Sequence, residues 1–272
     1  MKATRIAGAL GAEVRGVDLS RPLPQAELAG LRRLWLEHLV IFFRNQELNE
    51  KQYMAFAEQF GEPVEYPMVE GIAGFPKIIE VKKLEHERVA FGGIWHTDTA
   101  YLERPPMASM LLAREVPPAG GDTLFANMYL AFENLSEGLK NLLLNLKAIN
   151  TSAKADASKT RADRIRTDGK ESSGFVAEHP VVRTHPETGR KALYVNSGHT
   201  VRFAGWTEEE SAPLLKYLFE FQTRPEFTCR FAWQPGSIAL WDNRCAQHNP
   251  VNDYHGYRRV MHRITLAGDV PA

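Results

Sequence analysis

The segment Trp95-His96-Thr97-Asp98 sets an imidazole and a carboxylate two residues apart. On extended backbone, residues i and i+2 point to the same side, so this pair can offer two adjacent ligands to one metal ion. A third ligand must come from elsewhere, and the candidate is His248, which ends Trp241-Asp242-Asn243-Arg244-Cys245-Ala246-Gln247-His248. Two imidazoles and one carboxylate on one face of iron(II) leave three neighbouring positions open, which is what an oxygenase needs for a cosubstrate and O2. By itself a bare His-x-Asp is weak. The chain has nine histidines, and a hydrogen-bonded strand histidine is the commoner use of such a residue.

A second constellation is Arg258-Arg259-Val260-Met261-His262-Arg263-Ile264-Thr265-Leu266. With a period of two, Val260, His262, Ile264 and Leu266 face one way and Arg259, Met261, Arg263 and Thr265 the other. Both faces carry apolar residues, so both should be covered, and two arginines then lie in or near the interior. A buried guanidinium without a partner is costly, and Arg grips anions in a planar two-pronged fork. Two readings stay open for each arginine: an internal salt bridge, or a seat for an anionic cosubstrate or substrate. Gly120-Gly121-Asp122-Thr123-Leu124 marks a tight turn with the Thr123 hydroxyl at the start of a strand. Alone, it is a hairpin signal.

The elements that must position these groups are of mixed type. Leu28, Leu31, Leu34 and Trp35 recur at helical spacing, Val40–Phe43 is a short buried strand, and residues 49–60 return to a helical pattern closed by Gly61. From Ile78 onward, short apolar runs at 109–113, 124–126, 192–195, 227–233, 237–241 and 259–266 are separated by Gly, Pro, Asn and Asp. That rhythm points to a β-sandwich or barrel. Two helices interrupt it, one over 129–146 and one from a Thr207-x-x-Glu210 capping box to Phe221. Residues 151–178 are rich in Ser, Lys, Arg, Asp and Gly and read as a surface loop or a mobile lid over the site.

With no linker and no internal repeat, the 272 residues read as a single domain, 1–272. Lys plus Arg (33) balances Asp plus Glu (33), and no basic stripe stands out; this argues against nucleic acid as a partner. Cys229 and Cys245 make no disulfide framework and read as free thiols in a reducing cytoplasm. The start imitates a secretory signal only faintly, because the apolar stretch after Arg5 holds Gly8 and Gly11 and runs straight into Glu13 and Arg15. No run approaches the ~18 apolar residues of a membrane span, so no membrane partner is expected.

Taken together, Trp95-His96-Thr97-Asp98, Gly120-Gly121-Asp122-Thr123 and the stretches 241–248 and 258–263 resemble the taurine dioxygenase family of 2-oxoglutarate-dependent oxygenases. The match runs in order along nearly the whole chain and takes in 16–23, 179–196 and 264–269. The spacings agree as well, with 24 residues between Asp98 and Thr123 and 10 between His248 and Arg259. The resemblance implies a mainly β fold with flanking helices, a distorted double-stranded β-helix (jelly roll, cupin-like). It implies His96, Asp98 and His248 as ligands of Fe(2+), and Arg259, helped by Thr123, as the holder of the distal carboxylate of 2-oxoglutarate. Arg263 then matches the arginine that grips the substrate's anionic group. The implied reaction consumes O2, releases succinate and CO2, and hydroxylates a small anionic substrate; beside a heteroatom this breaks a C–S, C–O or C–N bond. A homodimer or homotetramer is the implied assembly.

The family's taurine-binding positions map onto Tyr66, Val69, Gly92, Ser152 and His199, none of which keeps the taurine enzyme's residue. Exchange of phenylalanines for Ser and His implies a differently shaped, larger pocket, with Tyr66 and His199 as candidate substrate contacts. This leans toward an aryloxyalkanoate or alkyl sulfate oxygenase, with a taurine dioxygenase proper as the alternative. Two other classes compete. A zinc hydrolase would use His96, Asp98 and His248, with Cys245 near in sequence, yet leave Arg259 and Thr123 idle; a non-catalytic jelly-roll binding module would need no complete set. His179, His185, His255 and His262 read as surface or structural residues. Trp95 and Trp241 read as packing around the metal, and Asp242, Asn243 and Arg244 as a turn network.

Overall fold

In Val40–Phe43 all four side chains are buried, but alternately in two different cores: Val40 and Phe42 in one, Ile41 and Phe43 in the other. Ile238–Asp242 and Arg259–Leu266 are likewise buried at every position. Continuous burial over a short run is the mark of a strand covered on both faces. The computed structural model describes residues 1–90, 92–154 and 174–272 and shows the sheet these strands build. Its order is Lys2–Arg5, Ala12–Arg15, Val40–Phe43, Ile238–Asp242, Ala108–Glu115, Arg259–Leu266, Pro63–Val64, with Ile79–Lys83 also paired to Arg259–Leu266.

One face of this sheet packs against helices Gln25–His38 and Glu50–Phe60, where Leu31, Trp35, Tyr53 and Phe56 meet Ile41, Phe43, Leu112 and Ile264. The other shares a core with a three-stranded sheet ordered Thr228–Phe231, Thr123–Asn127, Ala246–Pro250. Phe42 joins the two layers, stacking on Phe231 at 4.0 Å and meeting Phe125 edge-on at 5.6 Å. The fold is therefore mainly β with helices outside, as the punctuated apolar runs require. Among the described residues, no helix is long and apolar enough to cross a membrane.

Local chemistry accounts for the element ends. Asn49 with Gln52, and Thr207 with Glu210, form reciprocal capping boxes. The helix expected over 129–146 is two, Met128–Glu133 and Glu137–Leu143, because Ser136 accepts from Leu139 N and starts a new helix. The stretch expected as a loop at 151–178 begins and ends in strands: Thr151 of Lys147–Thr151 lies opposite Val176 of Val176–Pro180. Residues 155–173 of that expected lid lie outside the described residues.

The turn after Ile238–Asp242 is held by buried charge. Arg244 forks onto Asp242 (Nε–Oδ1 2.9 Å, Nη2–Oδ2 2.8 Å), and its Nη1 reaches Glu187 at 2.8 Å. Glu187 is bound in turn by Arg32. His185 Nδ1 accepts from the Glu187 and Thr188 amides, so its proton sits on Nε2, which donates to Asp242 at 3.0 Å. Burial pushes the Asp242 carboxyl up, but Arg244 and then His185 outweigh it and hold it below the usual carboxylate range. This is the turn network read from the sequence, enlarged by His185, a buried structural histidine. Asp242→Ala would leave Arg244 and His185 facing an empty site and should cost about 3–5 kcal/mol. Urea unfolding is the measurement, and a loss below about 1 kcal/mol, the range of an exposed pair, would contradict this role.

Candidate active site

His96 and His248 are backbone partners: His96 N donates to His248 O at 3.0 Å and His248 N to His96 O at 2.9 Å. The bridge brings the two imidazoles side by side, 4.2 Å between centroids. Asp98 sits at the start of a turn rather than in a continuing strand, and Thr99 takes φ 42°. The side-chain convergence survives that turn. Asp98 Oδ1 lies 3.5 Å from His96 Nε2 and 3.8 Å from His248 Nε2, and the three ligand atoms fall within 4.8 Å of one another.

Each group is prepared for a metal. His96 Nδ1 donates to Ile94 O at 2.7 Å, which leaves the Nε2 lone pair free. Two glycines make room for this ring: a Cβ at Gly92 would stand 3.1 Å from His96 Cε1, and one at Gly198 would stand 2.8 Å from His96 Cβ. His248 packs against Trp241 at 4.8 Å, and burial followed by His96 pushes its pKa well below the usual range, so the imidazole is neutral. Burial pushes the Asp98 carboxyl up, but Arg263 first and the imidazoles after it hold it well below the usual range, and it is ionised. Two ring nitrogens and one carboxylate oxygen suit Fe(II), and the donor set fits.

A second cluster, His185, Asp242 and Cys245, is as tight, but its atoms are already committed. Both His185 nitrogens and both Asp242 oxygens are hydrogen-bonded, and burial keeps the Cys245 thiol protonated. Cys245 groups here rather than with His96, Asp98 and His248, so the zinc-hydrolase alternative loses its extra ligand.

The two arginines part company. Arg259 is 5% exposed, and its Nε and Nη2 have no hydrogen-bond partner among the described residues. Burial pushes its pKa down, offset by Tyr254 and Asp122. Gly121 (φ 70°) packs beside it: a Cβ there would stand 3.2 Å from Pro117 Cγ and Tyr254 Cδ1 and 3.3 Å from Arg259 Cδ. Trp233 lies 5.8 Å from the guanidinium carbon and donates from Nε1 to Thr123 Oγ1 at 2.9 Å. The Thr123 hydroxyl therefore keeps its own proton for an incoming acceptor. Arg263 Nη2 is 2.9 Å from Asp98 Oδ2 without hydrogen-bond alignment, and its Nε is also unbonded. The salt-bridge reading thus holds in part for Arg263 and fails for Arg259.

Of the residues singled out as substrate contacts, Tyr66 presents its ring to Arg263 at 5.1 Å and belongs to a small apolar cluster with Val69 and Ile79. His199 meets Tyr101 edge-on at 4.9 Å and His96 at 5.9 Å. Ser152 is buried, and its hydroxyl has no hydrogen-bond partner among the described residues. His179 (Nε2 to Leu102 O, 2.9 Å) and His262 (Nδ1 from Arg114, 3.1 Å) are structural, and His255 is exposed. Sequence reasoning missed Ser109, Trp233 and Tyr101; each lies in or beside a run that reads only as apolar strand or turn.

Residues 2–265 match the family model described as taurine catabolism dioxygenase TauD, TfdA family. An alkylsulfatase of Acinetobacter baylyi is 37% identical over 273 residues, spanning 98% of this chain and 84% of that protein. An alpha-ketoglutarate-dependent sulfate ester dioxygenase of Pseudomonas putida is 38% identical over 273 residues, spanning 98% and 89%. Among solved structures, a taurine dioxygenase from Burkholderia xenovorans is similar with a TM-score of 0.84 at 37% identity, covering 100% of this chain and 92% of that one.

Burial, then His96, lowers the His199 pKa to about 3. The unfolded chain takes this proton first, so stability is lost as pH falls from about 6.5 toward about 3. His199→Gln removes that share. Between about pH 6.5 and 4 the parent should lose more stability than the variant, by up to about 1.4 kcal/mol per pH unit. Parallel denaturation curves for the two proteins across that range would contradict the assignment.

Proposed function

The chain belongs to the taurine catabolism dioxygenase TauD, TfdA family, and on that premise we propose that it oxidises small alkyl sulfate esters at a ferrous centre held by His96, Asp98 and His248. It is a 2-oxoglutarate-dependent dioxygenase that uses Fe(II), 2-oxoglutarate and O2. When bound, Fe(II) supplies the redox chemistry that couples decarboxylation of 2-oxoglutarate and consumption of O2 to oxidation of a C–H bond. The facing sheets are read as the two halves of a distorted double-stranded β-helix.

The observation that carries the proposal is the buried guanidinium of Arg259, whose Nε and Nη2 meet no hydrogen-bond partner among the described residues, on the same strand face as Arg263. Arg263 touches Asp98, and Arg259 stands four residues earlier, roughly 13 Å along the strand. The reach of an arginine side chain plus an extended five-carbon diacid is of that order. Arg259, with the free Thr123 proton, would hold the far carboxylate while the other end of the diacid lies at the metal. Burial makes such a charge-assisted grip strong, because no water competes for it.

For the substrate, Arg263 offers unbonded donors beside Tyr66, and Tyr66, Val69 and Ile79 form an apolar wall. A cationic head with an apolar flank suits an amphiphilic monoanion better than the zwitterion taurine. The relatives named for sulfate esters support the same choice. Hydroxylation of the carbon that bears the ester oxygen gives a product that collapses to an aldehyde and inorganic sulfate. Per turnover, one 2-oxoglutarate and one O2 become succinate and CO2, with one oxygen atom delivered to the substrate.

Arg259→Ala should raise the 2-oxoglutarate requirement roughly 30-fold or more while sparing Fe(II) binding; unchanged 2-oxoglutarate dependence removes its assigned role. A panel of alkyl sulfates, sulfonates and aryloxyalkanoates, with succinate and free sulfate measured together, tests the substrate class. Alkyl sulfates should stimulate succinate formation and release sulfate in equal amount. Stimulation by phenoxy acids or taurine alone would overturn the sulfate-ester reading and keep the oxygenase.

A further inference from the structure

Asp98 offers a metal two oxygens, and the fold treats them differently. Oδ1 faces both imidazoles. Oδ2 accepts from the Ser109 hydroxyl at 2.6 Å and has Arg263 beside it. Ser109 Oγ in turn accepts from Asn243 Nδ2 at 3.0 Å, and Asn243 Oδ1 accepts from Trp241 Nε1 at 2.9 Å. Ser109 and Trp241 are register partners in adjacent strands, and Asn243 N donates to Met107 O at 2.9 Å. Exposure of the three is 0% for Ser109, 1% for Asn243 and 2% for Trp241, so water does not compete for these bonds.

The direction of this relay is forced. An indole N–H only donates, so the oxygen of the Asn243 amide must face Trp241 and its NH2 must face Ser109. That NH2 only donates, so the Ser109 oxygen is the acceptor there and its single proton goes to Asp98. No member can reverse without setting donor against donor. We propose that Ser109, oriented by Asn243, is a positioning residue that makes Asp98 a one-oxygen metal ligand. With Oδ2 released, the carboxylate could turn and present both oxygens, filling one of the positions that the cosubstrate and O2 require. The relay also ties Asp98 to the segment that leads into His248, so the three ligands are set by one rigid unit. Of the residues read from the sequence as a turn network, Asn243 thus belongs to the site, and Asp242 and Arg244 to the scaffold.

The proposal rests on the metal-site reading, and Mn(II) titration of the metal-free protein separates the two. Parent protein that fails to bind Mn(II) would sink the site itself. Given parent binding, Ser109→Ala should weaken Mn(II) affinity roughly 10- to 100-fold, with circular dichroism unchanged. Ser109→Thr, which keeps the hydroxyl, should recover most of the loss; a purely space-filling role predicts no recovery. Asn243→Ala should give a smaller loss, and combining it with Ser109→Ala should add little, because both act through one hydrogen bond to Asp98. Affinity within about twofold of parent in Ser109→Ala, or full additivity of the two changes, overturns the proposal. If Ser109→Ala does not fold, Asn243→Ala decides: parent-like affinity overturns the relay, and a several-fold loss upholds it.

Discussion

The site depends on a buried negative charge. Asp98 is 2% exposed and ionised, and an ion taken out of water must be repaid by close partners. The protein supplies Arg263, the Ser109 hydroxyl and two imidazoles. These leave one oxygen and two ring nitrogens pointing at a common centre. A divalent metal answers that arrangement better than another side chain would, because it satisfies three lone pairs at once. Arrangement and burial thus act together: the same low dielectric that makes the lone carboxylate expensive makes its pairing with a cation strong.

The strand Arg259–Leu266 carries this constraint through the fold. Its outer face, with Ile264 and Leu266, belongs to the core shared with the helices, and Met261 on the inner face belongs to the core between the sheets. Arg259 and Arg263 share the inner face with Met261, so neither reaches bulk water easily. Pairing with Ile79–Lys83 runs without a shift from Arg259 to Arg263, which keeps the two arginines on one face; the irregularity opposite Val260 and Met261 bulges the neighbouring strand at Arg114 instead. The tight turn at 120–121 also packs closely: a side chain at Gly121 would crowd Pro117, Tyr254 and the Arg259 stem.

Two polar networks lie a few residues apart and do different work. Asp242, Arg244, Glu187, Arg32 and His185 close on themselves, with each buried donor meeting an acceptor, and so stabilise the turn. The network of Trp241, Asn243, Ser109 and Asp98 stays open at one end, where the last acceptor has a free oxygen. A closed network suits a scaffold and an open one suits a site. Arg259 follows the same logic from the cationic side, since its buried Nε and Nη2 have no acceptor among the described residues, and such a group calls for a specific explanation.

Much was legible in the sequence itself. The apolar runs and the Thr207 capping box announced the strands and most helices, because burial on a pleated surface and satisfaction of helix ends act over a few residues. The His-x-Asp pair, His248, Arg259 and the double-glycine turn were each weak alone, and it was their shared order and spacing, resembling a known family, that named the reaction class. Ser109, Trp233 and Tyr101 were not legible, since a serine inside an apolar strand looks like filler until its partner, 134 residues away in Asn243, is brought opposite it. The split between Arg259 and Arg263 was not legible either, because a guanidinium's role depends on which carboxylate lies within reach. Residue types set what chemistry is available through local periodicity and charge; only the tertiary structure, by closing distances between remote segments and excluding water, decides which groups are paired and which are left free to act.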